Sequence, residues 1–152
     1  MSQGIHPRVR FVVMALLVVV LAAPLAAFGG TTPAGEWQGT MALTEPEAGS
    51  SLADITTMAE PTDREYYRLK GQKIFISAGD HDGVENVIHL MLAKIQGAPA
   101  GVKGISLFVV PKKRIDDQGN LVANDVVASG LYHKLGYRGC PIVQLSIGDR
   151  ND

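Results

Sequence analysis

The sequence predicts a mainly β protein, an antiparallel barrel or sandwich of roughly 120 residues preceded by an N-terminal apolar helix. Glycine and proline make up 25 of the 152 residues, and this share favours frequent turns over a helical bundle. Between the turns, short segments alternate apolar and polar side chains, as half-buried strands do. The start of the chain differs from the rest, because it holds a long uncharged apolar run.

The N-terminal segment, residues 1–30, resembles a signal peptide or a membrane anchor. Two arginines precede an apolar run of 13 residues (11–23), which Pro24 interrupts. A basic start, a short apolar core and a small-residue exit are typical of a secretory signal peptide. Extended to 11–28, the stretch has 18 residues, the lower limit for a bilayer span of about 20 residues. A cleaved signal, a membrane contact through 11–28 and an artefact of the gene start all stay open.

The body of the chain divides into candidate strands separated by turn residues. Turns are expected at 61–65 and 115–120, where proline, glycine and acceptor side chains cluster. Gly71 and Gln72 either kink one long strand or begin a new one. The strand candidates are the segments 37–43, 54–60, 66–79, 103–111, 121–131 and 140–148.

The segment 84–95 fits two periodicities. Its apolar residues stand at positions 84, 87, 88, 91, 92 and 95, which together make one face of a helix. The shorter stretch 89–95 also alternates as a strand does. The pattern alone favours a helix.

Charge and motif content exclude several classes of function. The formal net charge is −1, so no electrostatic footprint for nucleic acid is present. The single cysteine, Cys140, excludes an intrachain disulfide, and a packed thiol is its default role. Neither phosphate-binding glycine signature occurs, nor does a GxSxG elbow. His133 and Lys134 beside a glycine turn could meet an anion, but a solvated loop is the favoured interpretation.

Several polar residues of the kinds that bind metals lie close together in the sequence between positions 80 and 89. Glu85 and His89 would share a face of a helix, which is the spacing that a metal site uses. The carboxylates of Asp80 and Asp82 stand beside glycines, however, where Asp commonly makes local hydrogen bonds. No HExxH pattern is present. A polar loop around His81 is therefore favoured, and no metal site is assigned.

The stretch "TEPEAGSS" (44–51) has two interpretations. Pro46 and Gly49 make a turn, which the hydroxyls of Thr44 and Ser50 could satisfy locally. The same hydroxyls and backbone N–H groups could instead bind an anionic or polar ligand. Composition does not decide between the two.

Four segments together resemble one enzyme family. "MALTEPEAGSS" (41–51) resembles the T-E-P-x-A-G-S-D signature of acyl-CoA dehydrogenases, flavoenzymes that desaturate acyl thioesters between Cα and Cβ. "YRLKGQKIFISAGDHD" (67–82) resembles the G-x-K-x-[WF]-I-[ST]-x-G strand of that family. "GVKGISLFVVPK" (101–112) and "HKLGYRGCP" (133–141) resemble later strands of the same middle domain. The wording "KIFISAGDHD" is similar to the long-chain-like branch that includes 3-methylmercaptopropionyl-CoA dehydrogenases.

The resemblance implies a fold and a function. The fold would be the antiparallel middle β-barrel, here residues 35–152 and incomplete at its C-terminal end, with a strand in place of the helix at 89–95. The function would be that of an FAD-dependent oxidoreductase acting on the CH–CH bond of acyl-CoA in a cytoplasmic homo-oligomer. The catalytic base of the family is a Glu in a C-terminal helical domain, and no residue here corresponds to it. The chain would therefore be a truncated fragment with little or no activity alone.

The resemblance also implies a flavin site. Thr44 would hydrogen-bond the pyrimidine edge of the ring, Phe75 would cover the ring, and the hydroxyl of Ser77 would approach N5. Ser50 would lie near the FAD pyrophosphate and bind the acyl-CoA substrate. The cofactor-binding set is Met41, Leu43, Thr44, Ser50, Phe75 and Ser77.

Two departures from the family pattern and the apolar leader support an alternative. Ser51 stands where the family usually has Asp, and Glu47 stands where it usually has a small residue. Acyl-CoA and FAD are cytosolic, so export through residues 1–30 would conflict with catalysis. The alternative is an exported or membrane-tethered β domain that serves as a binding or structural module without flavin chemistry.

Overall fold

The computed structural model describes residues 37–150, and this part of the chain is mainly β, as predicted. Its helical elements are two short 3-10 helices, Leu52–Asp54 and Gly101–Gly104. Within residues 37–150, no helix is long and apolar enough to span a bilayer. The apolar helix predicted in residues 1–30 lies outside the described residues. The strands are β1 (Trp37–Ala42), β2 (Met58–Pro61), β3 (Tyr67–Ser77), β4 (Asn86–Ile95), β5 (Ile105–Pro111), β6 (Lys113–Ile115), β7 (Leu121–Ala123), β8 (Val126–Leu131) and β9 (Ile142–Ile147).

Seven of these strands form one curled sheet, in the order β1-β4-β2-β3-β9-β8, with β5 added on β4. β6 and β7 make a separate hairpin across the turn predicted at 115–120. The sequence predicted an antiparallel barrel or sandwich, and the antiparallel pairing is wrong at β4, which pairs in parallel with both β1 and β2. The reason is connectivity: β1 and β4 are joined by a long crossover, and a hairpin turn is what makes neighbours antiparallel.

β4 occupies the segment for which apolar spacing favoured a helix. Its inward side chains are buried, whereas Ile88, Leu90 and Leu92 are half-buried on the opposite face. Because both faces are apolar, the segment satisfies the helical and the strand spacing at once. The strand implied by the family resemblance is confirmed.

The hydrophobic core combines buried side chains from β1, β3, β4, β5, β8 and β9. Leu69 and Phe108 pack against it from the margin, and the rings of Tyr67 and Phe108 meet edge to face at a centroid distance of 5.3 Å. The core residues are Ala42, Ile76, Met91, Val110, Val126, Val143, Leu145 and Ile147.

β3 contains a bulge that redirects its side chains. The register of β3 against β9 shifts between Lys73 and Ile76, and Phe75 adopts a positive φ of 58°. Lys73 and Ile74 are consecutive and both buried, so the alternation of the strand changes there. The irregularity expected at Gly71 and Gln72 therefore lies slightly later in the strand. Its consequence is that Phe75 and Ser77 point away from the core.

A buried ion pair joins this bulge to the loop after β1. The ammonium of Lys73 lies 2.9 Å from Glu45 Oε1, and the two side chains are 0 % and 2 % exposed. Lys73 Nζ also donates to the carbonyl of Leu43 at 3.0 Å. The carboxylate of Glu45 accepts from the Thr57 backbone N–H at 3.1 Å and from the Thr56 hydroxyl at 2.8 Å. The pair therefore fixes both ends of residues 43–57 to β3.

The charges of this pair are stable because each is hydrogen-bonded. Burial raises the pKa of Glu45, but hydrogen bonds from Lys73, Thr57 and Thr56 outweigh burial and lower the pKa from 4.5 to about 2. Burial lowers the pKa of Lys73, and Glu45 partly restores it. Removing one member of such a pair typically costs about 3–5 kcal/mol, because the other charge is left buried and unpaired.

We expect Glu45→Gln to lower the free energy of unfolding by about 3 kcal/mol at neutral pH. The folded pKa of Glu45 lies below its ordinary value of 4.5, so the stabilisation is complete above that pH and is lost as the pH falls toward 2. Urea unfolding from neutral pH to about pH 3 measures the difference between the variant and the wild type, which should shrink on acidification.

Glu47→Gln is the matched control, because Glu47 is exposed two residues away in the same loop. It should change stability by no more than about 0.5 kcal/mol at any pH. An equal effect of both substitutions, or a Glu45→Gln deficit that does not vary with pH, would contradict the role of the pair.

Gly71→Ala should destabilise the same region. A Cβ at Gly71 would lie 2.5 Å from Thr57 Oγ1 and 2.8 Å from Thr57 Cα, so the backbone that donates to Glu45 would have to move. We expect a loss of about 2 kcal/mol in the free energy of unfolding, measured by urea denaturation. Gly39→Ala is the control, since nothing lies within 4 Å of a Cβ at Gly39. A milder effect at Gly71 than at Gly39 would show that the contact is unimportant.

Candidate functional site

The turn after β1 is closed by its own backbone. Glu45 and Ala48 exchange two backbone hydrogen bonds, of 2.8 and 3.2 Å, around Pro46 and Glu47. The carbonyl of Thr44 accepts from the N–H of Ile74 at 2.9 Å, which places Thr44 directly beside the bulge of β3. The turn is thus held next to Phe75.

The hydroxyls that the sequence singled out are not needed to stabilise this turn. Within residues 37–150, the hydroxyls of Thr44 and Ser50 make no hydrogen bond to protein. The Glu45 carboxylate instead accepts the hydrogen bonds that hold the loop, from Thr56 and Thr57. Thr44 is half-buried, and Ser50 is exposed just past the turn. Both hydroxyls are therefore available to a ligand.

Phe75 and Ser77 present one exposed aromatic ring and one exposed hydroxyl on the same side of β3. The side chain of Phe75 is 57 % exposed, and Ser77 is also exposed. Their orientation follows from the bulge, which keeps Ile74 and Ile76 in the core. A large exposed aromatic ring in a left-handed backbone conformation is a costly arrangement that is typical of functional sites.

Tyr132 is a neighbour of the site that the sequence did not indicate. Its ring packs on Phe75 at a centroid distance of 4.6 Å and an angle of 43°. Tyr132 follows β8, and its N–H donates to the carbonyl of Ile142 at 2.9 Å. It is 57 positions from Phe75 in the chain, so only the pairing of β3, β9 and β8 brings the two rings together.

Met41 and Leu43 approach the site from β1. Met41 points outward and is 53 % exposed. Leu43 is half-buried, and its carbonyl is held by Lys73. β1 packs beside β3, and Met41 stands in register with Leu90 of β4.

His89 is buried on β4, directly across from Thr40 of β1, and it does not form the pair with Glu85 that a helix would have made. The strand leaves Glu85 exposed, whereas His89 Nδ1 lies 2.7 Å from the hydroxyl of Thr40. Burial lowers the pKa of His89 to about 4, with Asp80 raising it and Lys112 lowering it further. His89 is therefore neutral at physiological pH, and its Nε2 has no hydrogen-bond partner in residues 37–150.

Two of the polar residues that follow β3, Asp80 and His81, contact other segments of the chain. Asp80 forms an ion pair with Lys112. His81 Nε2 lies 2.6 Å from Gln38 Oε1, and its Nδ1 accepts from the N–H of Gly83 at 3.0 Å. In the described part of the chain, no group of three or more His, Cys, Asp or Glu side chains is arranged to hold a metal.

A cavity of about 290 Å³ lies beside the segment that follows β8. Two cationic side chains that line the cavity make hydrogen bonds within this segment: Lys134 Nζ donates to the carbonyl of Cys140, and Arg138 Nε donates to the carbonyl of Lys134 at 3.2 Å. His133 and the half-buried Cys140 complete this wall. The solvated loop favoured by the sequence describes these cations better than an anion site does.

The known proteins that this chain resembles and that are described here belong to one family. The family model described as "Acyl-CoA dehydrogenase, middle domain" matches residues 40–149. Butyryl-CoA dehydrogenase of Syntrophomonas wolfei is 46 % identical over 120 residues, which are 78 % of this chain and 20 % of the relative. The 3-methylmercaptopropionyl-CoA dehydrogenase of Ruegeria pomeroyi is 47 % identical over 108 residues, which are 70 % of this chain and 18 % of the relative.

A solved structure agrees with these relatives. The crystal structure of Caenorhabditis elegans ACDH-11 in complex with C11-CoA superposes with a TM-score of 0.57 and 34 % identity, over 73 % of this chain and 18 % of that one. The chain thus spans about a fifth of the length of the relatives it matches. This protein belongs to the acyl-CoA dehydrogenase family, of which it matches the middle domain.

Proposed function

We propose that this chain forms the flavin-facing surface of an FAD-dependent acyl-CoA dehydrogenase. The observation that carries the proposal is the exposed side of β3, where Phe75 and Ser77 project beside the turn of Thr44. The ion pair of Lys73 and Glu45 and the hydrogen bond from Lys73 to the Leu43 carbonyl fasten the turn of Thr44 to β3. A cofactor site needs such preorganisation.

The chemistry of these side chains fits a flavin. The ring system of a flavin has two apolar faces and an edge of hydrogen-bonding atoms. Phe75 and Met41 supply exposed apolar surface for a face. The hydroxyls of Thr44 and Ser77 can donate to the polar edge, and neither is consumed by the protein. Ser50, exposed beyond the turn, is suited to the pyrophosphate and to the acyl-CoA.

The assigned residues bind and orient, and none of them removes a proton. When bound, FAD supplies the acceptor for the hydride that leaves Cβ of the acyl thioester. Ser77 would offer a fixed donor at the atom of the ring that becomes more basic on reduction. Phe75 would contact the face of the flavin ring, and Tyr132, which packs on Phe75, would fix the orientation of its side chain. We assign no general base within residues 37–150, and we expect the chain alone to turn over no acyl-CoA.

The proposed domain comprises residues 35–152, as the middle β domain of the enzyme. Its relatives are named for acyl-CoA substrates of several kinds, among them butyryl-CoA and 3-methylmercaptopropionyl-CoA. Because the relatives are about five times longer, we expect the acyl-binding residues to lie largely outside this domain. The choice among acyl chains is accordingly not assigned to any residue here.

FAD binding to the full chain tests the proposal. Titration with FAD, followed by flavin fluorescence, should show saturable binding that Phe75→Ala weakens by about tenfold, because a stacking face is lost. Ser77→Ala should weaken binding less, by a factor of about five, which corresponds to one hydrogen bond. Each variant is first shown to be folded by its urea transition.

Tyr66→Ala is the control for these variants. Tyr66 is also an exposed aromatic residue, at 49 %, but it lies between β2 and β3, away from Thr44. Its removal should leave the affinity for FAD unchanged. Binding that is unaffected by Phe75→Ala, or that Tyr66→Ala weakens equally, would refute this location for the flavin.

A further inference from the structure

The turn that joins β3 to β4 contains the one Asp-Gly step of the sequence, Asp82–Gly83. In such a step the backbone nitrogen of the glycine can attack the side-chain carboxyl of the aspartate, because glycine has no side chain to block the approach. The product is a five-membered succinimide, and its hydrolysis gives aspartate or isoaspartate. Asp82 and Gly83 are both exposed, so water has access to such a ring.

The imidazole of His81 lies at the nitrogen that would attack. His81 Nδ1 accepts a hydrogen bond from the N–H of Gly83 at 3.0 Å, which is within the reach that a general base needs for the proton it removes. A Cβ built on Gly83 would lie 3.1 Å from the same Nδ1, so the ring rests against the glycine. An amide nitrogen is a weak nucleophile until it loses its proton, and here a base is in contact with that proton.

Gln38 fixes the form of His81 that can act as a base. Nε2 of the ring lies 2.6 Å from Gln38 Oε1, and an amide oxygen only accepts, so Nε2 carries the ring proton. The Gly83 N–H only donates, which independently requires a lone pair on Nδ1. Gln38 belongs to β1, 43 positions away in the chain, so the sheet holds the ring in place.

The carboxylate of Asp82 is free to turn toward the Gly83 nitrogen. Within residues 37–150 it makes no hydrogen bond and no ion pair, whereas the neighbouring Asp80 is paired with Lys112. Asp116, in the hairpin turn of β6 and β7, shows the usual alternative, because its Oδ1 accepts from two backbone N–H groups at 2.9 and 2.8 Å. Asp82 has no such restraint, so rotation about its Cα–Cβ bond can bring Cγ to the nitrogen.

We propose that His81 is the general base for an intramolecular isomerisation of Asp82 to isoaspartate. Nδ1 removes the Gly83 amide proton while the nitrogen bonds to Cγ of the protonated carboxyl group. The Cγ–OH bond breaks, and the hydroxyl leaves as water with the proton from the imidazolium. A water molecule then attacks the main-chain carbonyl carbon of Asp82, and the bond from that carbon to the Gly83 nitrogen breaks. One water leaves and one enters, so no oxidant, reductant or second substrate is needed.

The reaction changes the connection between β3 and β4. The main chain then runs through Cβ and Cγ of Asp82, which makes it one carbon atom longer, and the former main-chain carbonyl becomes a carboxylate in the turn. No residue assigned to flavin contact takes part in these steps. The modification is therefore independent of the proposed function.

Ageing of the intact chain, residues 1–152, at neutral pH in water enriched in the heavy oxygen isotope tests the proposal. Peptide mapping by mass spectrometry, with fragmentation that separates isoaspartate from aspartate, measures the product at Asp82. Isoaspartate should form at least about tenfold faster than in an unstructured peptide of residues 78–86, because that peptide lacks Gln38 and the fixed imidazole. Each isoaspartate should carry one heavy oxygen, which hydrolysis of a succinimide introduces.

Variants locate the base and the group that positions it. His81→Phe should slow the reaction at least about tenfold, whereas His133→Phe, at an exposed histidine of another loop, should leave the rate unchanged. Gln38→Leu should slow it about fivefold, which corresponds to one hydrogen bond. Gln38→Glu keeps an oxygen acceptor for Nε2 and should restore the rate, which a space-filling role would not explain. The urea transition of each variant first shows that it is folded.

Three results would overturn the proposal: isoaspartate that forms no faster in the folded chain than in the peptide, isoaspartate without heavy oxygen, and a rate that His81→Phe leaves unchanged or that His133→Phe lowers equally. If His81→Phe does not fold, the Gln38 variants decide. Equal rates in Gln38→Leu and the wild type would then contradict the role of the fixed imidazole.

Discussion

The buried ion pair between Lys73 and Glu45 is the interaction on which the rest of the site depends. Two charges are removed from water at this point, and this costs several kcal/mol per ion unless the remaining hydrogen-bonding capacity is satisfied. Here it is satisfied: the ammonium also binds the Leu43 carbonyl, and the carboxylate also binds Thr56 and Thr57. The pair therefore joins three separate pieces of chain, which are the end of β1, the loop before β2 and the middle of β3.

The bulge in β3 allows Lys73 to reach Glu45. Lys73 must turn inward to reach Glu45, and Ile74 and Ile76 must both reach the core, which a regular strand cannot arrange. The left-handed backbone at Phe75 resolves the conflict at a cost of order 1–3 kcal/mol. The same distortion turns Phe75 and Ser77 outward beside Thr44. Thus the residues that stabilise the loop also orient the exposed ring and hydroxyl to which we assign flavin contact.

The sequence predicted the β class and the turn at 115–120, because these depend on local composition. The flavin role of the stretch 44–51 came from the family resemblance, and it stays a prediction. It did not predict the role of Lys73 or Glu45, although a lysine within an apolar strand was a signal that could have been used. The strand at 86–95 was obscured because its two faces are both apolar. The contact of Phe75 with Tyr132 depends on long-range strand pairing, which no local pattern reports.

The central claim is that the exposed side of β3 and the turn beside it face a flavin. The most direct measurement is a backbone amide NMR spectrum of the chain, recorded during addition of FAD. Our account predicts that the largest chemical shift changes fall in residues 41–44 and 75–77, with smaller changes near Tyr132 and none in the hairpin of β6 and β7. Changes confined to other surfaces, or no change at saturating FAD, would contradict it.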